Sequence, residues 1–353
     1  PYPTLFRSGS QTGFIALDPT SGAVLASRGS GAFVPASTAK LLTSFSALSR
    51  IDPQHRFTTR VVAAGAVSDG GTIVLVGGGD PYLVTKRAKV HDHAIHADLT
   101  TLAAHTASAL KKRDVTSVHQ RFDASLFTGP SVSPTWPKSY VTGNVVTPVS
   151  ALWTDQGVQG GVRAADPATS ATRIFAGLLD RHGISVIGGP APKQAVASDP
   201  TVAAVRSATV GQIVGTLIRT SDNQAAEVML RHVAIAAHRP ATFDGGAEGV
   251  MSALAAARIA TSGLKLFDGS GLSRHDRVAP ATLAEILHAA AQGSRTSGLV
   301  ADLPVSGFTG TLVKRFATLP GARGLVRAKT GTLSGVHSLA GYAVDAEGGP
   351  IIF

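Results

Sequence analysis

The amino-acid sequence predicts an α+β fold in which an inserted, mainly β region interrupts a domain built from both ends of the chain. Hairpin-like strand patterns occur near both ends, at 13–27 and 324–344. Helical apolar stripes accompany them, as at Leu41 and Leu48. Between 57 and 205 the pattern changes to short strand-like runs broken by Gly and Pro. With 353 residues, the chain is long enough for two or three such modules.

The N-terminal elements are predicted to be a hairpin and a helix. Apolar runs at 13–17 and 23–27 flank the turn sequence Asp18-Pro19-Thr20-Ser21-Gly22, which is typical of a tight connection. A helix follows, with its buried stripe starting at Leu41. Ser37 is therefore expected at or just inside the start of this helix.

The middle of the chain is predicted to be an insertion with one helix, at 97–112, among its strands. Residues of about 84–146 are a candidate for a separate small lobe within it. The predicted organisation is thus a split domain at 1–60 and 206–353, with an inserted domain, or a pair of small domains, at 61–205.

The second part of the split domain is predicted to be helical first and then β. Helical patterns cover 208–238, with a short break, and Ala-rich helices are expected at 246–261 and 281–292. A hairpin of buried strands at 324–344 follows. Because Pro350–Phe353 has the pattern of a strand that is just beginning, we expect the C-terminal element to continue past it.

Composition narrows the class of protein. Hydrophobic residues make up 44% of the chain, yet no apolar run approaches the roughly 20 residues of a membrane span. The absence of cysteine excludes disulfides, thiol nucleophiles and cysteine-ligated metals. The net charge of +10 favours an acidic polymer as a neighbour. The basic residues are spread and aromatic residues are only 5%, which disfavours nucleic acid.

Serine nucleophiles with their own lysine base follow the pattern S-x-x-K. Three pairs match it: Ser37/Lys40, Ser108/Lys111 and Ser262/Lys265. In the first pair, the predicted helix places both side chains on one face, so the amine can take the hydroxyl proton if its pKa is lowered. The second pair lies in an exposed helix and the third in a loop beside glycine, which favour solvated lysines.

Two further short patterns follow in order along the chain. The triplet Ser221-Asp222-Asn223 lies between two predicted helices, where capping of the second helix is the alternative interpretation. Lys329-Thr330-Gly331-Thr332 occurs once, at the end of a strand-like run. A helix-start S-x-x-K, a loop S-x-N and a strand K-T-G, in this order, form the signature of class A β-lactamases and penicillin-binding proteins.

With these three motifs, the chain resembles the class C, low-molecular-mass penicillin-binding proteins of the D-alanyl-D-alanine carboxypeptidase type (penicillin-binding protein 4 family, peptidase family S13). The long interval between the first two motifs agrees with the insertion that marks this family. Other segments that resemble the family are Gly77–Pro81, Pro148–Leu152, Asp268–Ser273, Leu303–Val305 and Gly310–Leu312. The resemblance implies a β-lactamase/transpeptidase-like catalytic domain, an antiparallel sheet with helices on both faces.

The resemblance also implies roles for individual residues. Catalytic roles fall on Ser37, Lys40, Ser221, Asn223 and Lys329, and substrate-binding roles on Thr330, Gly331, Thr332, Asp268 and Ser270. Ser37 would form the acyl-enzyme, Lys40 would accept its proton, and Lys329 would lower the pKa of Lys40 through its field. The backbone N–H groups of Ser37 and Thr332 would form the oxyanion hole. No cofactor or metal is expected.

Alternatives remain for the activity. A β-lactamase needs a carboxylate that activates the deacylating water, and the candidates are Glu227, Glu248 and Glu285, none in a class A pattern. A non-catalytic wall-binding or penicillin-sensing domain is disfavoured by the three intact motifs. A zinc site at His91-Asp92-His93 and His96 is disfavoured because the helical H-E-x-x-H pattern is missing.

The expected activity is a serine D-alanyl-D-alanine carboxypeptidase, and the sequence leaves open whether it also cuts cross-links as an endopeptidase. Its partners would be peptidoglycan stem peptides, with β-lactam antibiotics as inhibitors and no nucleic acid. Such a substrate exists only outside the cytoplasmic membrane. We therefore expect an extracytoplasmic protein whose signal peptide has been removed from this chain.

Overall fold

The computed structural model describes residues 11–86, 96–316, 318–319 and 321–353. The strands are β1 (Phe14–Leu17), β2 (Val24–Arg28), β3 (Arg56–Ala63), β4 (Gly71–Val76), β5 (Ser117–Asp123), β6 (Val158–Gln159), β7 (Val162–Arg163), β8 (Ser185–Ile187), β9 (Thr201–Thr209), β10 (Val326–Leu333), β11 (Val336–Val344) and β12 (Pro350–Ile352). The α-helices are α1 (Lys40–Arg50), α2 (Leu99–Lys111), α3 (Ser139–Thr142), α4 (Pro167–Arg181), α5 (Val210–Thr220), α6 (Asn223–Ala236), α7 (Phe243–Ala256), α8 (Pro280–Gln292) and α9 (Ser297–Ala301).

The first sheet joins the two ends of the described chain. Its order is β10-β11-β12-β1-β2, and every neighbouring pair is antiparallel. Leu17 of β1 is paired with Ile352 of β12. Helix α8 packs against β1, β11 and β12. The predicted α+β class with an antiparallel sheet is thereby confirmed.

The second sheet is mixed. Its order is β8-β5-β4-β3-β9, in which β4, β5 and β8 are parallel and β3 is antiparallel to both of its neighbours. Helix α2 connects β4 to β5, and α4 precedes β8, as parallel pairing requires a crossover. The apolar residues of this sheet, α2 and α4 form one hydrophobic cluster.

The prediction of a single helix in the inserted region was wrong, because the short α3 and the longer α4 also lie there. Asp166 caps the N-terminus of α4 by accepting from the N–H of Thr169, and Pro167 occupies the first turn, where its missing N–H costs nothing. Ala171, Phe175 and Leu178 form its buried stripe. These residues stand at i, i+4 and i+7, the spacing of one helical face, so the sequence did carry the signal of this helix.

Helix α1 is the centre of the other hydrophobic cluster. Leu41, Leu42, Phe45 and Leu48 are fully or almost fully buried, and α1 contacts α5, α6, α7 and α8. A 3-10 turn, Ala36–Ala39, precedes α1 and packs on β10 and β11. This packing brings the N-terminus of α1, the start of α6 and strand β10 to one place.

The predicted domain boundaries, and the small lobe at 84–146, stay predictions. Within the part of the chain that the structure describes, no helix combines the length and apolar character that a membrane crossing requires.

Candidate active site

Ser37 lies in the 3-10 turn directly before α1, where the sequence pattern placed it. The preceding residue, Ala36, has a φ of 46°, a left-handed conformation that costs a non-glycine residue about 1–3 kcal/mol. Gly271 packs on this turn, and a Cβ at Gly271 would collide with the carbonyl oxygen of Ala36. The serine is thus presented by a constrained backbone, as is common for nucleophiles.

Lys40, the first residue of α1, links three parts of the site through its amine. Its Nζ donates to Ser37 Oγ at 3.0 Å, to Asn223 Oδ1 at 2.7 Å and to the carbonyl oxygen of Ser270 at 2.8 Å. The lysine is fully buried. A serine hydroxyl and a desolvated amine therefore lie within hydrogen-bond distance, as general-base activation requires.

Burial lowers the pKa of Lys40 from its usual 10.5 to about 8. The negative charges of Glu227, Asp268 and Asp222 oppose this shift by favouring the ammonium form. Because of this opposition, both the neutral and the protonated forms of the amine are populated near neutral pH.

The Ser221-Asp222-Asn223 triplet caps a helix and also contacts both buried lysines of the site. Ser221 ends α5 with a φ of 60°, and Asp222 caps α6 by accepting from the N–H of Ala225 at 3.0 Å. Asn223, the first residue of α6, accepts the Lys40 ammonium. The Asp222 carboxylate also accepts from Gln156 Nε2 at 2.7 Å. This hydrogen bond connects the triplet to the 3-10 turn Asp155–Gly157.

Lys329, on β10, is the second buried lysine of the site. Its Nζ donates to Ser221 Oγ and to the carbonyl oxygen of Thr330, both at 2.7 Å. Burial is the main cause that lowers its pKa to about 6, and the charge of Lys40 contributes. The charge of Lys40 thus lowers the pKa of Lys329, whereas Lys329 is not among the groups that shift the pKa of Lys40, and the predicted influence of Lys329 on Lys40 stays a prediction.

Gly331 lets β10 approach the nucleophile. A Cβ at this position would lie 2.7 Å from the carbonyl oxygen of Pro35 and 3.0 Å from the backbone nitrogen of Ser37. Any larger residue would push the strand away from the turn. The backbone of the next residue, Thr332, is thereby brought beside Ser37.

The hydroxyl of Thr330 makes a contact that the sequence did not suggest. Its Oγ1 donates to Thr311 Oγ1 at 3.0 Å. Thr311 belongs to the Gly310–Leu312 segment that resembles the family. Thr311, Thr330 and the exposed Thr332 thus supply hydroxyl groups near Lys329.

Asp268 and Ser270 are fully buried. The Asp268 carboxylate accepts from Trp136 Nε1 at 2.6 Å, from the N–H of Gly271 at 2.7 Å and from the N–H of Ser273 at 2.6 Å. Their predicted contact with substrate stays a prediction. Their burial instead favours a role in holding this loop, whose Ser270 carbonyl contacts Lys40.

Glu227 was considered from the sequence only as a β-lactamase carboxylate. It is fully buried, and its two oxygens accept from the N–H groups of Gly269 and Ser270, each at 2.9 Å. Burial and the nearby Asp268 raise its pKa, while the hydrogen bonds from Ser270 and Gly269 and the charge of Lys40 oppose this shift by favouring the carboxylate. Its position four residues after Asn223 was the available signal, because residues at this spacing share a helix face.

None of the three candidate carboxylates is arranged as the activator of a deacylating water. Both oxygens of Glu227 are occupied by backbone donors. Glu248 pairs with Arg239 at 3.2 Å on the surface, and Glu285 accepts from the N–H of Ala260 at 2.7 Å. This arrangement disfavours the β-lactamase alternative.

The other two S-x-x-K pairs are not assembled into a site. Ser108 and Lys111 are exposed at the end of α2, and Ser262 and Lys265 are exposed in a loop. Among the three pairs, only Ser37/Lys40 has a buried amine, and this amine contacts Asn223 of another motif.

The histidine segment gives no metal centre within the described residues. His91-Asp92-His93 lies outside them, and His96 has its Nδ1 at 3.1 Å from the carbonyl oxygen of Tyr82. No group of three or more His, Cys, Asp or Glu side chains suited to a metal occurs in the described ranges.

An antiparallel sheet that carries K-T-G on one strand, beside a serine and a buried lysine at the start of a helix, defines the β-lactamase/transpeptidase-like class of serine enzymes. The model of the D-Ala-D-Ala carboxypeptidase 3 (S13) family matches residues 5–160 and 157–353. The chain belongs to this family. The predicted class of serine-type D-alanyl-D-alanine carboxypeptidases is therefore confirmed.

Individual relatives agree with this assignment. A carboxypeptidase of Mycobacterium tuberculosis is 36% identical over 336 residues, which cover 91% of this chain and 70% of the relative. The crystal structure of penicillin-binding protein 4 from Haemophilus influenzae shares the fold with a TM-score of 0.81 at 24% identity, covering 96% of this chain and 88% of that chain. A second structure of that protein, in complex with a β-lactam, matches with a TM-score of 0.72 at 24% identity and the same coverage of both chains.

Proposed function

We propose that the chain removes the terminal D-alanine from peptidoglycan stem peptides through an acyl-enzyme on Ser37. The observation that carries this proposal is the 3.0 Å hydrogen bond between Ser37 Oγ and the fully buried amine of Lys40. A serine hydroxyl hardly ionises near neutral pH, so it needs a base at this distance. Lys40 is that base.

In the proposed acylation, Ser37 Oγ forms a bond to the carbonyl carbon between the two D-alanine units while Lys40 takes the hydroxyl proton. The negative charge that develops on the carbonyl oxygen is stabilised by the backbone N–H groups of Ser37 and Thr332, each worth about 3 kcal/mol. The C–N bond then breaks, and Ser221 relays the proton to the leaving amine. Water later hydrolyses the ester and frees Ser37.

The terminal carboxylate of the substrate is proposed to bind beside Lys329, Thr330 and Thr332. Lys329 contacts Ser221 and the Thr330 carbonyl, so its amine already faces the proton relay. An anion at this place favours the ammonium form of Lys329. That new charge in turn favours the neutral, basic form of Lys40, so substrate binding would prepare the base for its task.

The proposed substrate is found outside the cytoplasmic membrane, and we therefore propose an extracytoplasmic location. The net charge of +10 suits a wall rich in carboxylates and phosphates. β-Lactams are proposed as inhibitors, because their amide carbonyl can be attacked by Ser37 in the same way.

The test is the intact mass of the protein after mixing with penicillin, for the wild type, Ser37→Ala and Ser262→Ala. The last variant removes the exposed serine of another S-x-x-K pair and serves as the matched control. We expect one stable penicillin adduct on the wild type and on the control, and none on Ser37→Ala.

Other results would change the assignment. If penicillin is consumed without a lasting adduct, the activity is that of a β-lactamase. If penicillin stays intact and no adduct forms, the chain is a non-catalytic wall-binding or penicillin-sensing domain. Release of D-alanine from a stem pentapeptide, compared with cleavage of a cross-linked dimer, separates carboxypeptidase from endopeptidase activity.

A further inference from the structure

The carbonyl group of Ser270 is one of the three acceptors that hold the Lys40 amine, and its position depends on the loop at 268–273. This loop lies between α1 and α6. Thr43 of α1 donates its hydroxyl to the carbonyl oxygen of Gly269 at 2.8 Å. From the other side, Glu227 of α6 accepts both successive N–H groups, those of Gly269 and Ser270, at 2.9 Å.

The same residue of the loop is therefore held at both of its backbone groups. The N–H of Ser270 binds Glu227, and its carbonyl oxygen binds Lys40. The N–H and the carbonyl group of Ser270 belong to adjacent peptide planes: Glu227 holds the 269–270 plane, and Asp268 holds the 270–271 plane through the N–H of Gly271 at 2.7 Å, each by a charge-assisted hydrogen bond. A shift of the Glu227 side chain would therefore move the backbone of Ser270. The Lys40 amine, which binds the Ser270 carbonyl, would then move relative to Ser37.

The charges around this arrangement come from several elements. Lys40 is influenced by the charges of Glu227 and Asp222 of the α6 region and of Asp268 of the loop, and its own charge acts on Lys329 of β10. Glu227 itself faces the carboxyl groups of Asp268 and Asp276 and the guanidinium of Arg231. Among these groups, Glu227 combines a negative charge near Lys40 with direct hydrogen bonds to the residue that holds it.

We infer that Glu227 is a positioning residue for the general base: it fixes the 269–270 backbone so that the Ser270 carbonyl aims the Lys40 amine at Ser37, and its carboxylate balances the ammonium charge. This inference rests on the proposed function. Glu227 contacts neither substrate nor the reacting atoms, so it acts only through Lys40. No deacylating role follows, because both of its oxygens are engaged.

The inference is tested with Glu227→Gln. The amide keeps the size of the side chain, but its NH2 group faces a backbone N–H where the carboxylate had an acceptor, so the loop must shift. We expect the maximal rate of acylation by a chromogenic cephalosporin to fall about 10- to 100-fold. The apparent affinity for the cephalosporin should change little, because the residue does not touch the ligand.

The pH profile provides a measurement that a merely structural role would not move. Acylation requires neutral Lys40, so the rate rises with pH through the pKa of this amine. Removal of a nearby negative charge makes the ammonium form less favourable and lowers the pKa of Lys40. We expect the acidic limb of the Glu227→Gln profile to lie at lower pH than that of the wild type. An unchanged limb, or a wild-type maximal rate, would overturn the inference.

Controls separate this outcome from misfolding and from failure of the proposed function. Glu285→Gln is the matched variant, since Glu285 also lies on a helix and accepts a backbone N–H, but away from the site; its rate and profile should equal those of the wild type. If Glu227→Gln does not fold, as judged by circular dichroism, Glu227→Asp is measured instead. The shorter carboxylate should still slow acylation about 10-fold, and a wild-type rate would refute the inference. A wild type that is not acylated refutes the proposed function itself.

Discussion

The nucleophile side and the strand side of the site use the same pair of residue types in opposite surroundings. The nucleophile side, Lys40 with Ser37, is surrounded by buried carboxylates. The strand side, Lys329 with Ser221, has an amine whose described contacts are a hydroxyl and a carbonyl oxygen. Burial lowers the pKa of both amines, but to about 8 for Lys40 and to about 6 for Lys329.

The difference shows where each side obtains its counter-charge. The protein itself supplies negative charge to Lys40, through Glu227, Asp268 and Asp222. Lys329 shows no such carboxylate among the causes of its shift, so a substrate carboxylate would be the group that favours its ammonium form. Two amines with separated proton affinities can thus serve as base and as anion receptor in one site.

Lys40→Met keeps the length of the buried side chain but removes the base, and should have the largest effect on the nucleophile side. We expect acylation by penicillin to fall about 100- to 10,000-fold. Single-turnover labelling with a fluorescent penicillin measures the rate. Lys265→Met, at the exposed lysine of another S-x-x-K pair, is the control and should react like the wild type. Comparable loss in both variants would contradict the special role of the nucleophile side.

Lys329→Met tests whether the strand side recognises a carboxylate, and its expected effect is smaller. If the strand side recognises a carboxylate, the variant loses about 1.5–3 kcal/mol of binding to substrates with a free C-terminus, or about 10- to 150-fold in kcat/KM. The same peptide with an amidated C-terminus is the matched substrate, and its much lower rate should change far less. Equal losses for both peptides would show that Lys329 acts on the chemistry and not on recognition.

Trp136→Phe tests the support of the nucleophile side and should have the smallest effect on the acylation rate. It removes the indole N–H that binds the buried Asp268 carboxylate at 2.6 Å, a loss of about 1.5–3 kcal/mol in the free energy of unfolding. Trp153→Phe is the control, because its indole donates to the neutral carbonyl oxygen of Asp80 at 3.0 Å. Urea denaturation of both variants should show the larger loss for Trp136. The opposite order would argue that Asp268 is not a charged acceptor.

The parts of the site that could be predicted from the sequence are its three local motifs. Ser37 and Lys40 share one turn, Ser221–Asn223 lie at one helix junction, and Lys329–Thr332 lie on one strand, so spacing alone was informative. The contacts that join these motifs could not be read from spacing. Lys40 meets Asn223 and Ser270 across most of the chain, and such pairs depend on how the helices pack.

The same limit explains the residues that were missed or assigned differently. Trp136 and Asp268 meet through a side-chain hydrogen bond between distant segments, and Glu227 finds its partners in a separate loop. Asp268 was predicted to bind substrate, and its full burial could not be inferred from the sequence. In the inserted region, α4 was missed although Ala171, Phe175 and Leu178 carry its helical spacing, because the strand-like runs and the Gly and Pro clusters around it dominated the interpretation of this region.

The pairing of Leu17 with Ile352 has a consequence for the order in which the molecule is built. The strands of the second sheet, β3 to β9, are contiguous in the chain, so that region can pair as soon as it has been synthesised. The first sheet cannot close until β12 reaches β1, with nearly the whole described chain between them. Such distant pairing slows folding. The sheet that carries the K-T-G strand can therefore be completed only after β12 has been synthesised.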